Sequence, residues 1–135
     1  MLLNGRRVVT EPHPKFQTLT SFLSAIPGIK IFSSGDLPSG GWWVKLDIDI
    51  RQGHAWHLVQ ELGYVLNNLS VQERLPTVFK PVSPPPYLNG GPSDYLSWVI
   101  ECPEKSFAPG TAQKWLEGRL PNPAHKLSEW QGLDE

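Results

Sequence analysis

The sequence predicts an α+β fold: a ferredoxin-like βαββαβ sandwich with an extra C-terminal strand and helix, its two main helices on one face of an antiparallel sheet. Three observations predict it. Residues 42–50 alternate strictly, with Trp42, Val44, Leu46, Ile48 and Ile50 on one side and Trp43, Lys45, Asp47 and Asp49 on the other. Residues 54–69 carry Ala55, Leu58, Leu62, Val65, Leu66 and Leu69 at helical spacing, with His57, Glu61, Tyr64 and Asn68 opposite. Shorter strand-like and helix-like runs fall around these two in the order that the sandwich requires.

The first run, 3–10, holds Val8 and Val9 and stops at Glu11-Pro12-His13-Pro14, which reads as a short strand. Phe16, Leu19, Phe22, Leu23 and Ile26 then form a helical stripe that ends at Pro27-Gly28, giving a helix from about 14 to 25. Residues 29–33 read as a strand and 35–41 as the turn into the central strand. After the second helix come strands at 77–82 and 95–102; in the latter Leu96, Trp98, Ile100 and Cys102 share one side. A third helix is expected over 109–120, with Pro109 near its start and Gly118 near its end. Leu127, Trp130 and Leu133 predict that the tail from 121 docks on the domain. An alternative arrangement drops the strand at 3–10 and leaves a four-stranded α+β meander.

Composition narrows the function classes. A chain of 135 residues forms one domain, 1–135, and buries roughly two-thirds of its extended surface on folding. Twelve basic and 13 acidic side chains leave a net charge of −1, against a phosphate-neutralising surface, so nucleic acid is not an expected partner. Cys102 is the only cysteine, which excludes an intramolecular disulfide framework and fits a reducing, cytoplasmic setting. No apolar run approaches the roughly 18 residues of a membrane span. Twelve glycines and 14 prolines make about a fifth of the chain, against an ordinary ~12 per cent, and they concentrate in 81–94. Three consecutive prolines there favour polyproline II, with Tyr87 and Leu88 at the tip of an ordered loop.

Four candidate sites compete. Asp47, Asp49, His54 and His57, with Glu61 a turn beyond, hold the donor types of a divalent-metal site and define the alternative function, a small metal-dependent enzyme or ligand-binding protein. Helical phase turns His57 and Glu61 to solvent, while the aspartates sit on the sheet face away from the helices, so neither metal nor other cofactor is expected. Cys102 shares its strand side with Leu96, Trp98 and Ile100, which predicts a buried thiol rather than a nucleophile. Trp43, Phe79 and Tyr95 resemble in type the stacking platform of a single-strand nucleic-acid module, but Asp47 and Asp49 stand where such a platform is basic or aromatic. The remaining candidate is an interaction surface of Trp43, Lys45, Phe79 and Tyr95 on the open sheet face, with Tyr87 and Leu88 on the loop. The expected function is therefore a non-catalytic domain acting through protein contacts, as a homodimer or a partner-binding accessory, with Trp43 covered by the 115–130 region or by a second copy.

Overall fold

The computed structural model describes residues 14–68, 73–83 and 95–131. Its elements run α1 (Pro14–Ser24), β1 (Ile29–Asp36), β2 (Trp42–Asp49), α2 (Ala55–Gly63), a π turn (Tyr64–Asn68), β3 (Val78–Pro81), β4 (Tyr95–Cys102), α3 (Pro109–Arg119) and α4 (Leu127–Gln131). The architecture is α+β, with a four-stranded antiparallel sheet in the order β1-β2-β4-β3. The expected strand at 3–10, the loop residues 84–94, Leu69 and Leu133 lie outside the described residues. Among the described residues, β4 holds the central place beside β2, so this sheet is completed from the C-terminal side of the chain. Its order also differs from a meander, because β3 lies outside β4. No helix among the described residues is long and apolar enough to cross a membrane.

Alternation along β2 sets the layers. Trp42, Val44, Leu46 and Ile48 are buried and face Cys102, Ile100, Trp98 and Leu96 of β4 in register. They meet one contiguous core with Phe16, Leu19 and Leu23 of α1 and Leu58 and Leu62 of α2. Full burial of such side chains contributes about 1.5–3 kcal/mol each. Phe16 meets Trp42 edge-on, with centroids 6.4 Å apart. The expected pattern fails only at its end. The strand stops at Asp49, which is buried, while Ile50 is half-buried in the following turn. Asp49 is covered because its N–H donates to the Gly28 carbonyl at 2.8 Å and its carboxylate organises that turn beneath Arg51.

α3 corrects the expectation of only two helices on the sheet. Ala112 and Leu116 join the same core, and Arg119 pairs with Glu61 of α2, so α3 completes a layer of helices with α1 and α2. The Trp42 indole N–H donates to the Phe107 carbonyl at 2.7 Å, tying the central strand to the entry of α3. Of the tail residues expected to dock, Trp130 of α4 is fully buried and stacks obliquely on His54, with centroids 5.4 Å apart, whereas Leu127 is exposed.

The second helix keeps its predicted apolar face but widens into a π turn. That turn carries Asn67 to the outer edge of β3, where its amide donates to the Phe79 carbonyl at 2.9 Å and its Oδ1 accepts the Phe79 N–H at 2.7 Å. The Leu66 carbonyl is taken by the Thr77 hydroxyl at 2.7 Å. The Asn67 side chain thus takes hydrogen bonds that a further strand would otherwise make. On the other edge, β1 bulges between Ile31 and Ser33.

Among the described glycines, the closest backbone approach falls in the β1–β2 turn. Gly40 adopts φ +94°, whereas a Cβ on Gly41 would lie 1.9 Å from the Cys102 carbonyl oxygen and 2.6 Å from Pro103 C. Gly40→Ala is expected to lose about 1–2 kcal/mol from the left-handed backbone, because only the flexible Lys105 side chain crowds it. Gly41→Ala should cost more than about 3 kcal/mol, since backbone rather than side chain must move. Urea unfolding of the two variants checks the ranking, and an equal or reversed order would contradict this turn geometry.

Candidate functional site

The face of the sheet turned away from the helices is assembled by the odd positions of β2 and their cross-strand neighbours. Trp43 stands opposite Glu101 and Gly35, Lys45 opposite Val99 and Ser33, and Asp47 opposite Ser97 and Lys30. The Trp43 ring occupies the space that Gly35 leaves, since a Cβ there would lie 2.8 Å from the indole. A glycine beneath an aromatic ring gives the ring a defined seat. The β1 bulge turns Phe32 outward, 65% exposed, where the Lys45 ammonium lies 5.0 Å from its ring centroid. Leu37, Trp43, Lys45, Val82, Val99 and Glu101 line a shallow groove of about 370 Å³.

Several charged groups on this face have partners within it. Lys80 bridges Glu101 at 3.3 Å, and the Ser97 hydroxyl donates to Asp47 at 2.6 Å. Asp49, its side chain 6% exposed, accepts from Arg51 through both carboxylate oxygens, at 2.9 and 3.0 Å. It also accepts the Arg51 backbone N–H at 3.0 Å. The Arg51 side-chain bonds hold the Asp49 carboxyl down at about 2; burial opposes this, and the Arg51 N–H and Gln52 amide reinforce it. Arg51 then extends over Tyr95, 5.9 Å from the ring centroid, and Tyr95 is 37% exposed.

The predicted interaction residues are therefore only partly brought together. Trp43, Lys45 and Tyr95 share the open face. Phe79 does not: it is 4% exposed on the helix side, opposite Ile100, and stacks on Trp98 with centroids 4.8 Å apart. Thr77, anchored to the Leu66 carbonyl, sets the phase of β3 so that Phe79 points inward and Val78 and Lys80 point outward. Tyr87 and Leu88 lie outside the described residues. Trp43 is half-buried, but not by the 115–130 region. Trp130 packs against His54 in the core, and Trp115 belongs to α3 in the helix layer. Phe32 and Val99 were not among the residues singled out from sequence. The consecutive Ile31-Phe32 pair, which breaks the alternation of β1, was the available signal for the first.

The donors considered for a metal point apart. Asp47 is held by Ser97 on the open face and Asp49 by Arg51 at the strand end. His54 is 1% exposed, with Nε2 2.6 Å from the Pro27 carbonyl; that nitrogen carries the proton and donates. His57 is half-buried on α2, and Glu61 pairs with Arg119. No group of three or more His, Cys, Asp or Glu among the described residues is arranged to hold a cation. Cys102 is fully buried, 3.5 Å from the Glu104 carbonyl, and burial pushes its thiol pKa up. That is the opposite of an activated nucleophile.

No protein-family model, curated protein or solved structure matches this chain. The class it defines is thus given by its own geometry: an α+β domain in which, among the described residues, one sheet face lies under helices and the other does not.

Two outcomes follow from the titrating groups. A carboxyl held at about 2 when folded, against 3.8 normally, stabilises the fold above pH 4 and loses that contribution as pH falls toward 2. Asp49→Asn should therefore melt below the wild type at pH 6, and the gap in Tm should close between pH 4 and pH 2; a gap that is constant with pH would refute the assignment. Cys102 should label with a thiol reagent at neutral pH on the order of 100-fold slower in the native than in the urea-unfolded chain, since a local opening of ~3 kcal/mol suffices for that. Comparable rates would contradict its burial.

Proposed function

We propose that this chain is a non-catalytic domain that works through protein contacts made by the open sheet face, with a second copy or as an accessory to another protein. One observation carries the reading. Phe32, Val78 and Tyr95 are exposed on three different strands, and among the described residues no helix covers the face on which Trp43 and Val99 floor a shallow groove. Apolar and aromatic groups gathered on one exposed face are the kind of surface that marks interaction sites. The strand edges support the face as the contact, because both are obstructed: β1 by its bulge, β3 by Pro81 and by the Asn67 amide. Recognition by added strands needs a free edge.

The same proposal takes the sheet as a ferredoxin-like arrangement in which β4 fills the place of an N-terminal strand. That arrangement hosts many unrelated activities, so it adds nothing to the functional argument. A lone cysteine that is buried fits the reducing cytoplasm as the working compartment.

The test is a photo-crosslinking amino acid, benzoylphenylalanine, in place of Phe32, expressed in the native cells. Illumination is expected to give discrete heavier protein adducts, whereas the same group at Gln17 of α1 or Gln60 of α2 gives none. Adding Trp43→Asp should abolish the adducts while costing the isolated domain no more than about 2 kcal/mol, as befits a half-buried side chain. Adducts from the helix positions alone would move the interface to the helix layer.

A further inference from the structure

We infer that the open-face groove takes a peptide segment of another protein in which a large apolar side chain stands beside a carboxylate. This rests on the protein-contact reading above and narrows it to one occupant. Three observations point there.

The first is what the groove still lacks. Its floor, Trp43 and Val99, is apolar, and its volume of about 370 Å³ accommodates one large side chain rather than a second sheet. The second is charge. Glu101 already has Lys80, and Asp49 already has Arg51, but Lys45 makes no ion pair with a carboxylate among the described residues; its ammonium rests only on the Phe32 ring. A cation at the rim of an apolar groove is complemented by an anion on the ligand next to the group that enters it.

The third observation concerns symmetry, and it sets this occupant against a second copy. Lys45 and its partner Val99 lie at the middle of the β2–β4 pair, which is the middle of the described sheet. An isologous dimer in which the two faces overlap fully brings the centre of each face onto its own image, so Lys45 would oppose Lys45.

The experiment is selection of phage-displayed random peptides on the immobilised full chain, followed by titration of the enriched sequences as synthetic peptides. The expected consensus has Trp, Phe, Leu or Met within two or three positions of Asp or Glu. Lys45→Gln should weaken the winning peptide by about tenfold and Lys45→Glu by more, whereas Lys45→Arg and Lys114→Glu, on α3, leave it unchanged. Melting temperature verifies that each variant is folded. Peptides without acidic residues, or binding indifferent to Lys45→Glu, would overturn the inference. If no peptide binds but the Phe32 crosslink gives a species of twice the chain mass, the occupant is a second copy; this inference fails and the open-face reading survives. If neither peptide nor crosslink is obtained, both fail.

Discussion

A single strand, β2, commits the rest of the molecule, because each of its residues must go either under the helices or away from them. Trp42, Val44, Leu46 and Ile48 bury completely or nearly so, and a register slip of one residue would instead place Trp43, Lys45 and Asp47 in the core. Desolvating an ammonium and a carboxylate costs several kcal/mol per ion without a close partner. The strand is therefore held to one register by what must stay out as firmly as by what goes in. Both of its flanks are paired, to β1 and to β4, so that choice propagates across the sheet.

From this strand outward, the molecule spends its polar groups on stopping things. Asp49 ends β2 by bonding Arg51 and Gln52, Asn67 closes the free edge of β3, and the bulge at Phe32 distorts β1. An unpaired strand edge recruits other strands indiscriminately. Obstructing both edges removes free backbone groups through which a further strand would pair. The π turn belongs to the same logic: the wider turn brings Asn67 alongside Phe79.

The open face combines a rigid aromatic with an adaptable cation. Trp43 is seated over Gly35, where the close approach limits the ring's freedom. Lys45 leans on the Phe32 ring. Among the sequence's histidines and aspartates, His54 fastens the end of α1 through the Pro27 carbonyl and forms a wall for Trp130. Their proximity along the chain reflected a strand end followed by a helix start, where polar residues are needed whatever the function.

The sequence by itself determined the elements whose period is long and regular. The alternation over 42–49, the stripes of α1 and α2, the inward side of β4 and the burial of Cys102 and Trp130 were all legible, because each depends on which side of a helix or strand an apolar group must take. Only the tertiary structure decided the rest. Phe79 was assigned outward because a four-residue strand carries too few residues to show its phase; the Thr77 bond to Leu66, eleven residues away, sets it. Asp49 is covered because Arg51 lies across its carboxylate and its N–H bonds the Gly28 carbonyl, which no pattern of apolar residues records. The place of β4 beside β2 and the entry of α3 into the helix layer are pairings between distant segments. Local propensity has no access to them, because the free energy that selects them is released only when both partners are already formed.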